Sequence, residues 1–552
     1  MVSVDDRSRS RESARSAIHP SDSGSHASLE IEWQFDAPDP RAVERWVLSR
    51  AREGAWRAER GAPEEILDDY FDTPDLRFQR AGYALRVRSG AVREATLKEM
   101  RLRESGVARR REITERLGAR STLGRLRGPV GRRVRAVRGS RRIVRLFTIR
   151  TSRRVIAVAW PSGGRAEVVF DETRVLEPDG TERSLPHRVE IELVSGPMAA
   201  ARSFVRELSE ALHLAPSAFS KYAEGLRGRP APEGFTPDLG PREITRLTPA
   251  ADAAYAVLRT RFEAYLAAEP GVRLGEDPGP VHDMRVASRR LRASLRLFED
   301  VLPRTAGRWH ATFADAAAAL GRVRDLDVLL ENVRASAPRL ASGPDAVAPV
   351  LDRLTARREE EHGALLARLD SKRYAAFIDG FTRWLRRGSR PRVREAGEPI
   401  ALVAPRLAGH RHRAMRRAAS RLTPASPESY HRLRIRAKRL RYALEALEPA
   451  YGKPFHSMLR PLAKIQDALG AEQDAVVAVP KLREMVQPNT LAPEAPALQA
   501  IEEIARAYDA RARQQRARVP RLLAALSGKR WQRLERALDR ERRRAASKRE
   551  GG

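Results

Sequence analysis

The sequence predicts a multidomain α+β chain. A closed antiparallel β-barrel tunnel with helices outside it comes first, and an all-α pair of helical bundles follows. Three observations predict this. Seven short segments between residues 29 and 194 alternate apolar and polar residues at the strand period. A basic helical stretch at 281–298 returns 149 residues later, which marks an internal duplication. The Pro/Gly-rich run GRPAPEGFTPDLGP at 228–241 separates the two halves. The expected boundaries are a disordered tail at 1–28, a tunnel domain at 29–227, a linker at 228–244 and a helical domain at 245–545.

Residues 1–28 are polar and rich in Ser and Arg, a composition that does not support a core. LEIEWQF, at 29–35, then puts Leu29, Ile31, Trp33 and Phe35 on one face and Glu30, Glu32 and Gln34 on the other. The later strands repeat the pattern. Arg86 and Arg88 share a face, as do Thr96 and Lys98, and Arg110, Glu112 and Thr114. So do Arg150, Ser152 and Arg154, then Glu167 and Asp171, and finally Glu190 and Glu192. One such strand is an amphipathic edge with its polar face in water. Seven of them gather both signs of charge on their polar faces and keep the other faces apolar. A barrel with a charged lumen accounts for both features, its outer wall covered by helices at 41–59 and 199–213. Carboxylates in such a lumen repel one another unless a cation sits among them, and oxygen ligands suit Mg²⁺ or Mn²⁺. Guanidinium forks suit phosphate oxygens. The two together read as a metal–polyphosphate site, where a metal would neutralise phosphate charge and activate water.

In VHDMRVASRRLRASLRLF (281–298), Met284, Ala287, Leu291, Leu295 and Phe298 recur at helical spacing. His282, Arg285, Arg289, Arg292 and Arg296 form a second stripe without the interleaved acids of an ordinary surface face. The repeat supplies His431, Arg434, Lys438 and Arg441, and further on Leu320-Gly321 matches Leu469-Gly470 and Asp325 matches Asp474. Two similar bundles, each turning a basic stripe toward a shared cleft, are expected. Asp325 and Asp327 stand at i and i+2 and do not face each other, so ion pairs that orient the arginines are expected of them. His410 and His412, set among arginines, are expected to be solvated or anion-facing rather than metal ligands.

Composition bounds the partners. The 552 residues carry a formal net charge of +33, which calls for a polyanion. Aromatic residues are only 6%, none interleave with the basic stripes, and no nucleic-acid-binding signature appears, so nucleic acid is disfavoured. With no cysteine there is no disulfide framework or thiolate metal site. The N-terminus has no apolar h-region, and no apolar run reaches membrane-helix length. A soluble cytoplasmic protein, with no membrane insertion, is expected.

The N-terminal half resembles the CYTH family of triphosphate tunnel metalloenzymes through EIEWQ, YFDTPDLRFQRAGYALRVR, TLK, RREIT, VVFDE, EIEL and SKY at 220–222. The C-terminal half resembles the CHAD domain through its two H-x-x-R helices and LGRVRDLDVLL at 320–330. That family implies two four-helix bundles with an internal pseudo-twofold and an association with inorganic polyphosphate, including its granules. The tandem resembles CYTH–CHAD proteins, whose relatives include inorganic triphosphatases. The resemblance implies that Glu190 and Glu192 hold the divalent metal, with Glu30 and Glu32 at a second site or activating water. It implies that Arg86, Arg88, Lys98, Arg110, Arg150 and Arg154 grip phosphate and that Lys221 closes one end of the tunnel. His282, Arg285, Arg289, Arg292, His431, Arg434, Lys438 and Arg441 would bind polyphosphate. Two departures stand out. Gln34 replaces the family lysine of the first signature, and Thr114 stands where many members have a second glutamate. Two readings follow: a metal-dependent hydrolase of inorganic triphosphate or polyphosphate, and a non-catalytic polyphosphate binder with a degenerate tunnel.

Overall fold

The computed structural model describes residues 25–550 except 91, 101–106, 119–120, 178, 228–236, 390–392, 424–425, 486–494 and 527. The chain forms two compact units, Met1–Phe235 and Thr236–Gly552.

In the first unit the strands are β1 (Ser25–Asp36), β2 (Arg57–Arg60), β3 (Glu64–Asp72), β4 (Tyr83–Ser89), β5 (Glu94–Glu99), β6 (Val107–Arg116), β7 (Val144–Ala159), β8 (Arg165–Leu176), β9 (Glu182–Ser184), β10 (Arg188–Ser195) and β11 (Ala215–Pro216). Their neighbours run β3-β4-β5-β6-β1-β10-β8-β7, and β7 returns to β3, so eight antiparallel strands close a ring. β1 starts at Ser25, ahead of the expected Leu29, because its backbone continues to pair with β6 as far as Ser25↔Glu115. Residues 1–24 of the expected tail lie outside the described residues.

Helices α1 (Pro40–Arg52), α2 (Arg77–Arg80), α3 (Pro129–Arg138), α4 (Met198–Ala211) and α5 (Lys221–Leu226) complete the unit. α1 starts on Asp39, whose carboxylate accepts from the Ala42 amide at 3.1 Å, with Pro40 in the first turn. It ends at Arg52, short of the expected 59, and residues 57–60 pair with β7 instead. The outward residues Trp33, Phe35, Ile156, Val158, Phe170 and Ile191 pack against Val43 and Val47 of α1 and Phe204 and Leu208 of α4. Each large side chain so buried contributes roughly 1.5–3 kcal/mol. With the apolar positions committed outward, the alternate positions face the lumen.

The second unit is helical: α6 (Ala250–Leu274), α7 (Pro278–Leu297), α8 (Gly307–Ser336), α9 (Ala348–Leu369), α10 (Lys372–Arg387), α11 (Arg394–Gly397), α12 (Ile400–Ser420), α13 (Pro427–Tyr451), α14 (Lys453–Glu484), α15 (Ala495–Leu526) and α16 (Lys529–Glu550). The duplication shows in the starts of α7 and α13. Asp277 caps the first, accepting from the Gly279 amide at 2.7 Å, and Ser426 caps the second, accepting from the Ser429 amide at 3.3 Å. A proline follows each cap, at 278 and 427. Met284, Ala287, Leu291, Leu295 and Phe298 are all buried, as the periodicity predicts. Among the described residues, no helix is long and apolar enough to cross a membrane.

His412 goes into this core. Its ring stacks on Trp531 of α16 with centroids 3.6 Å apart, whereas its neighbour His410 stays exposed. Burial, with Arg416 and Arg413 nearby, pulls the His412 pKa from 6.5 down to about 4. Below pH 6.5 the unfolded chain therefore takes up a proton that the folded chain refuses until about pH 4. This contribution is intact above pH 6.5 and is lost as pH falls through that window. Denaturant unfolding at pH 7 and pH 4.5 checks it: His412→Phe is expected to lose less stability on acidification than the wild type. An equal loss in both would remove His412 as the cause.

Candidate functional site

Strand register writes the lumen. Opposite partners around the barrel are Asp68↔Arg88, Lys98↔Glu112, Glu30↔Arg110 and Arg153↔Asp171, each an acid against a base. Between β1 and β10 the alternation breaks. Gln34 stands opposite Glu190, and Glu32 opposite Glu192, two carboxylates where directly opposed like charges destabilise a sheet.

Of these, Arg88, Lys98, Glu112, Glu30, Arg110, Arg153, Gln34, Glu190 and Glu192 line a cavity of about 190 Å³ that also includes Tyr70, Arg86, Ser220 and Tyr222, with Asp68, Asp171 and Glu32 behind them as ion-pair partners. On one side Arg88 holds Asp68 through two bonds of 2.9 Å, and Arg86 reaches Glu112 at 3.0 Å. Lys98 contacts Glu30 at 2.5 Å, Glu112 at 3.6 Å and Glu32 at 3.7 Å. Arg110, only 4% exposed, pairs with Glu32 at 2.9 Å and leaves its Nε and one terminal nitrogen without a hydrogen-bond partner. Opposite, Arg153 grips Asp171 at 2.8 Å, and Lys221, at the start of α5, bonds both Asp171 and Glu190, the latter at 3.2 Å.

The cations divide the carboxylates into two kinds. Burial would raise Asp68 and Glu112, but Arg86 with Arg88, and Arg86 with Lys98, hold each down to about 2. Lys221 and Arg153 likewise outweigh burial at Glu190 and keep it far below the usual range. Glu192 goes the other way. Burial, then Glu30 and Glu190, push it up to about 8. Burial also raises Glu30, against the pull of Lys98. Glu30, Glu32 and Glu192 each place a carboxylate oxygen within 4.8 Å of the others. This oxygen-only set, short of positive charge, fits a hard divalent cation such as Mg²⁺ or Mn²⁺.

Of the residues expected in the tunnel, Glu30, Glu32, Glu190, Glu192, Arg86, Arg88, Lys98, Arg110 and Lys221 are brought together. Glu190 lies outside the converging carboxylate trio and is bound by Lys221 and by the Gln34 amide at 3.0 Å. Arg150 and Arg154 are corrected: neither lines the cavity. Arg150 is exposed and pairs with Glu182 at 2.7 Å, and Arg154 pairs with Glu44 of α1 at 2.7 Å, over the Phe170 ring. Arg153 takes the inward place. Arg154 shares its parity with Ile156 and Val158, which are committed to the outer core, and that parity was the available signal. Asp68 and Arg153 went unread because each stands beside a residue of like charge, Asp69 or Arg154, and either could have faced inward.

The Gln34 amide also donates to Glu32 at 3.2 Å, so it spans the two carboxylates at the break. Thr114 bonds Thr96 at 3.2 Å. Its neighbour Glu115 points away from the lumen and accepts from the Gly128 and Gly131 amides, at 2.8 and 3.0 Å, at the start of α3. Glu115→Ala is expected to cost about 1–2 kcal/mol of stability in denaturant unfolding and to leave tunnel chemistry unaltered. A loss of phosphate chemistry at unchanged stability would place Glu115 in the site instead.

In the helical unit, α7 and α13 meet through Glu445, which Arg290 of α7 holds at 3.0 Å and Arg441 of α13 at 2.7 Å. Arg285 pairs with Asp325 at 3.0 Å, and Lys481 of α14 reaches the same carboxylate at 3.2 Å. Asp327 pairs with Arg358 at 2.9 Å. Asp325 thus holds a stripe arginine, as expected, whereas Asp327 holds Arg358 of α9, outside the stripe; the side chain of Asp474 lies outside the described residues. Arg289 and Arg292 are half-buried on α7, each with an Nε that has no hydrogen-bond partner. His282 and His431 are exposed, and Arg434 and Lys438 are half-buried on α13.

A family model of the CYTH domain matches residues 29–226, and one of the CHAD domain matches residues 256–483. No curated protein matches the chain. Among solved structures, the chain is similar to the CHAD domain from the plant Ricinus communis, with 26% identity, 51% of this chain and 93% of that one covered, and a TM-score of 0.44. It is similar to PptA from Streptomyces chartreusis, with 19% identity, 50% and 100% covered, and a TM-score of 0.42. A third is an adenylyl cyclase-type protein from Hippeastrum described as having a dominant triphosphatase activity, with 19% identity, 37% and 98% covered, and a TM-score of 0.27.

Proposed function

The chain joins a CYTH domain to a CHAD domain, and on that premise we propose that its tunnel hydrolyses inorganic triphosphate with a divalent cation while its helical unit binds inorganic polyphosphate. The observation that carries the reading is the lumen's division of labour. Six inward cations, Arg86, Arg88, Lys98, Arg110, Arg153 and Lys221, surround a cavity in which three carboxylates converge without enough positive charge. Glu30, Glu32 and Glu192 would hold Mg²⁺ or Mn²⁺. A cation held there would supply charge neutralisation for the phosphate oxygens and activation of a water.

The rest is done by the chain's own side chains. Arg110 brings two unfilled N–H donors to a phosphate, and Arg86 brings its Nε. Lys221 and Arg153 keep Glu190 charged, so Glu190 orients them instead of competing for protons. Gln34 bridges Glu32 and Glu190 without adding charge. The neutral amide favours a second reading, a tunnel that binds without turnover.

Phosphate release from tripolyphosphate, with and without chelator, tests the proposal. Release that stops on chelation supports hydrolysis. Tight binding without release supports the second reading.

A further inference from the structure

A second cluster of cations lies apart from both sites described above. Between α12 and α13, His410, Arg417, Arg421, Arg432, Arg436 and Arg439 line a groove of about 640 Å³. Among the described residues, no carboxylate and no Phe, Tyr or Trp lines it; its remaining walls are Ala414, Ala418, Ser429 and Ile435. Glu428, one turn before Arg432, is hydrogen-bonded to Ser426 at 2.9 Å. At about 100° per residue, Arg432 and Arg436 project from the face of α13 away from Arg434 and Lys438. The groove therefore does not belong to the duplicated stripe.

The duplication gives an independent observation. At its spacing of 149, Arg432 and Arg436 replace Asp283 and Ala287 of the first repeat. The same spacing relates Arg290 to Arg439 and Arg296 to Glu445. In one direction the contact between repeats is the Arg290–Glu445 ion pair at 3.0 Å. In the reciprocal direction the equivalent pair is Arg439 and Arg296, two like charges, and burial, Arg436 and Arg296 all disfavour the charge of Arg439. One half of the pseudo-symmetric contact is thus a closed ion pair between the repeats. In the other, Arg296 pairs within its own end of the helix, with Glu299 at 3.2 Å, and Arg439 is left among like charges at the edge of the groove.

We propose that the groove is a second anion site, which takes a segment of a linear phosphate chain separately from the stripes of α7 and α13. Guanidinium forks match phosphate oxygens two at a time. Among the described lining residues there is no Phe, Tyr or Trp to serve as a base-stacking platform, and a concave wall suits a chain better than a flat lipid surface. The site shares its ligand chemistry with the proposed function but not its residues. With two separate sites, one protein holds two segments of a polyphosphate, or two different chains.

Arginine modification by phenylglyoxal, read residue by residue by peptide mass spectrometry on the full chain, tests this. Long-chain polyphosphate is expected to slow modification of Arg432 and Arg436 by about tenfold, and a single-stranded oligonucleotide of equal charge or phosphatidylglycerol vesicles by less than about twofold. Absence of protection by polyphosphate overturns the site, and so does equal protection by oligonucleotide or vesicles. Arg285 and Arg434 in the same digest report on the stripe. Their protection without that of Arg432 and Arg436 overturns this inference alone, whereas protection nowhere in the helical unit overturns the proposed polyphosphate binding too. With Arg432→Asp and Arg436→Ala, the first-repeat residues, Arg439 is expected to lose its protection and Arg285 to keep it. Unchanged protection of Arg439 also overturns the site.

Discussion

Glu192→Gln is expected to lower metal-dependent phosphate release from tripolyphosphate by about 10²–10³-fold, while the protein stays folded. Glu192 is one of three carboxylates whose oxygens come within 4.8 Å of one another, and it stands opposite Glu32 across the β1–β10 register. Glutamine keeps the shape and removes the charge. Loss of one charged ligand, at roughly 3–4 kcal/mol of transition-state stabilisation, gives that range. Stability is expected to move the other way in metal-free protein, because burial, Glu30 and Glu190 already disfavour the Glu192 carboxylate. Thermal unfolding with chelator should therefore show the variant at least as stable as wild type. Full activity in Glu192→Gln would take this carboxylate out of the metal set, and lost activity with early unfolding would make its role structural.

Replacing Arg285 and Arg434 together by alanine is expected to weaken long-chain polyphosphate binding by about 10–100-fold at low salt. The two residues hold equivalent places in the duplicated helices. Arg285 already pairs with Asp325, which keeps a second partner in Lys481 at 3.2 Å, so its removal does not strand a buried acid. Each lost phosphate contact lowers the slope of log affinity against log salt by about one, so the double variant should flatten it by about two. Affinity measured across a salt series checks both numbers. An unchanged slope would make the stripe a solvated face with no part in binding.

The barrel was legible because its strands carry two incompatible faces. Trp33 and Phe35 could only go to a core, which sent Glu32 and Gln34 to the lumen. The helical duplication was legible because equal spacing over many positions survives any local uncertainty. β7 was misread because Arg153 and Arg154 are adjacent and the parity was counted from Arg150 rather than from Ile156 and Val158. The division of the four glutamates between cation pairs and a converging trio was not legible at all. It depends on where Lys221 and Arg153 reach across the lumen, and sequence spacing carries no such information. His412 illustrates the same limit: only its stacking partner Trp531, over a hundred residues later, separates it from exposed His410.

The central place of β1 in the ring has a consequence for how the protein is made. β1 pairs with β6 on one side and with β10 on the other, and the Gln34–Glu190 contact joins residues 156 positions apart. At roughly 5–20 residues per second, the ribosome delivers β10 about ten seconds or more after β1. During that interval the strand has an open edge and an apolar face that includes Trp33 and Phe35. Glu30 and Glu32 then act as gatekeepers: like charges on the waiting strand discourage it from pairing with the same strand of a neighbouring nascent chain.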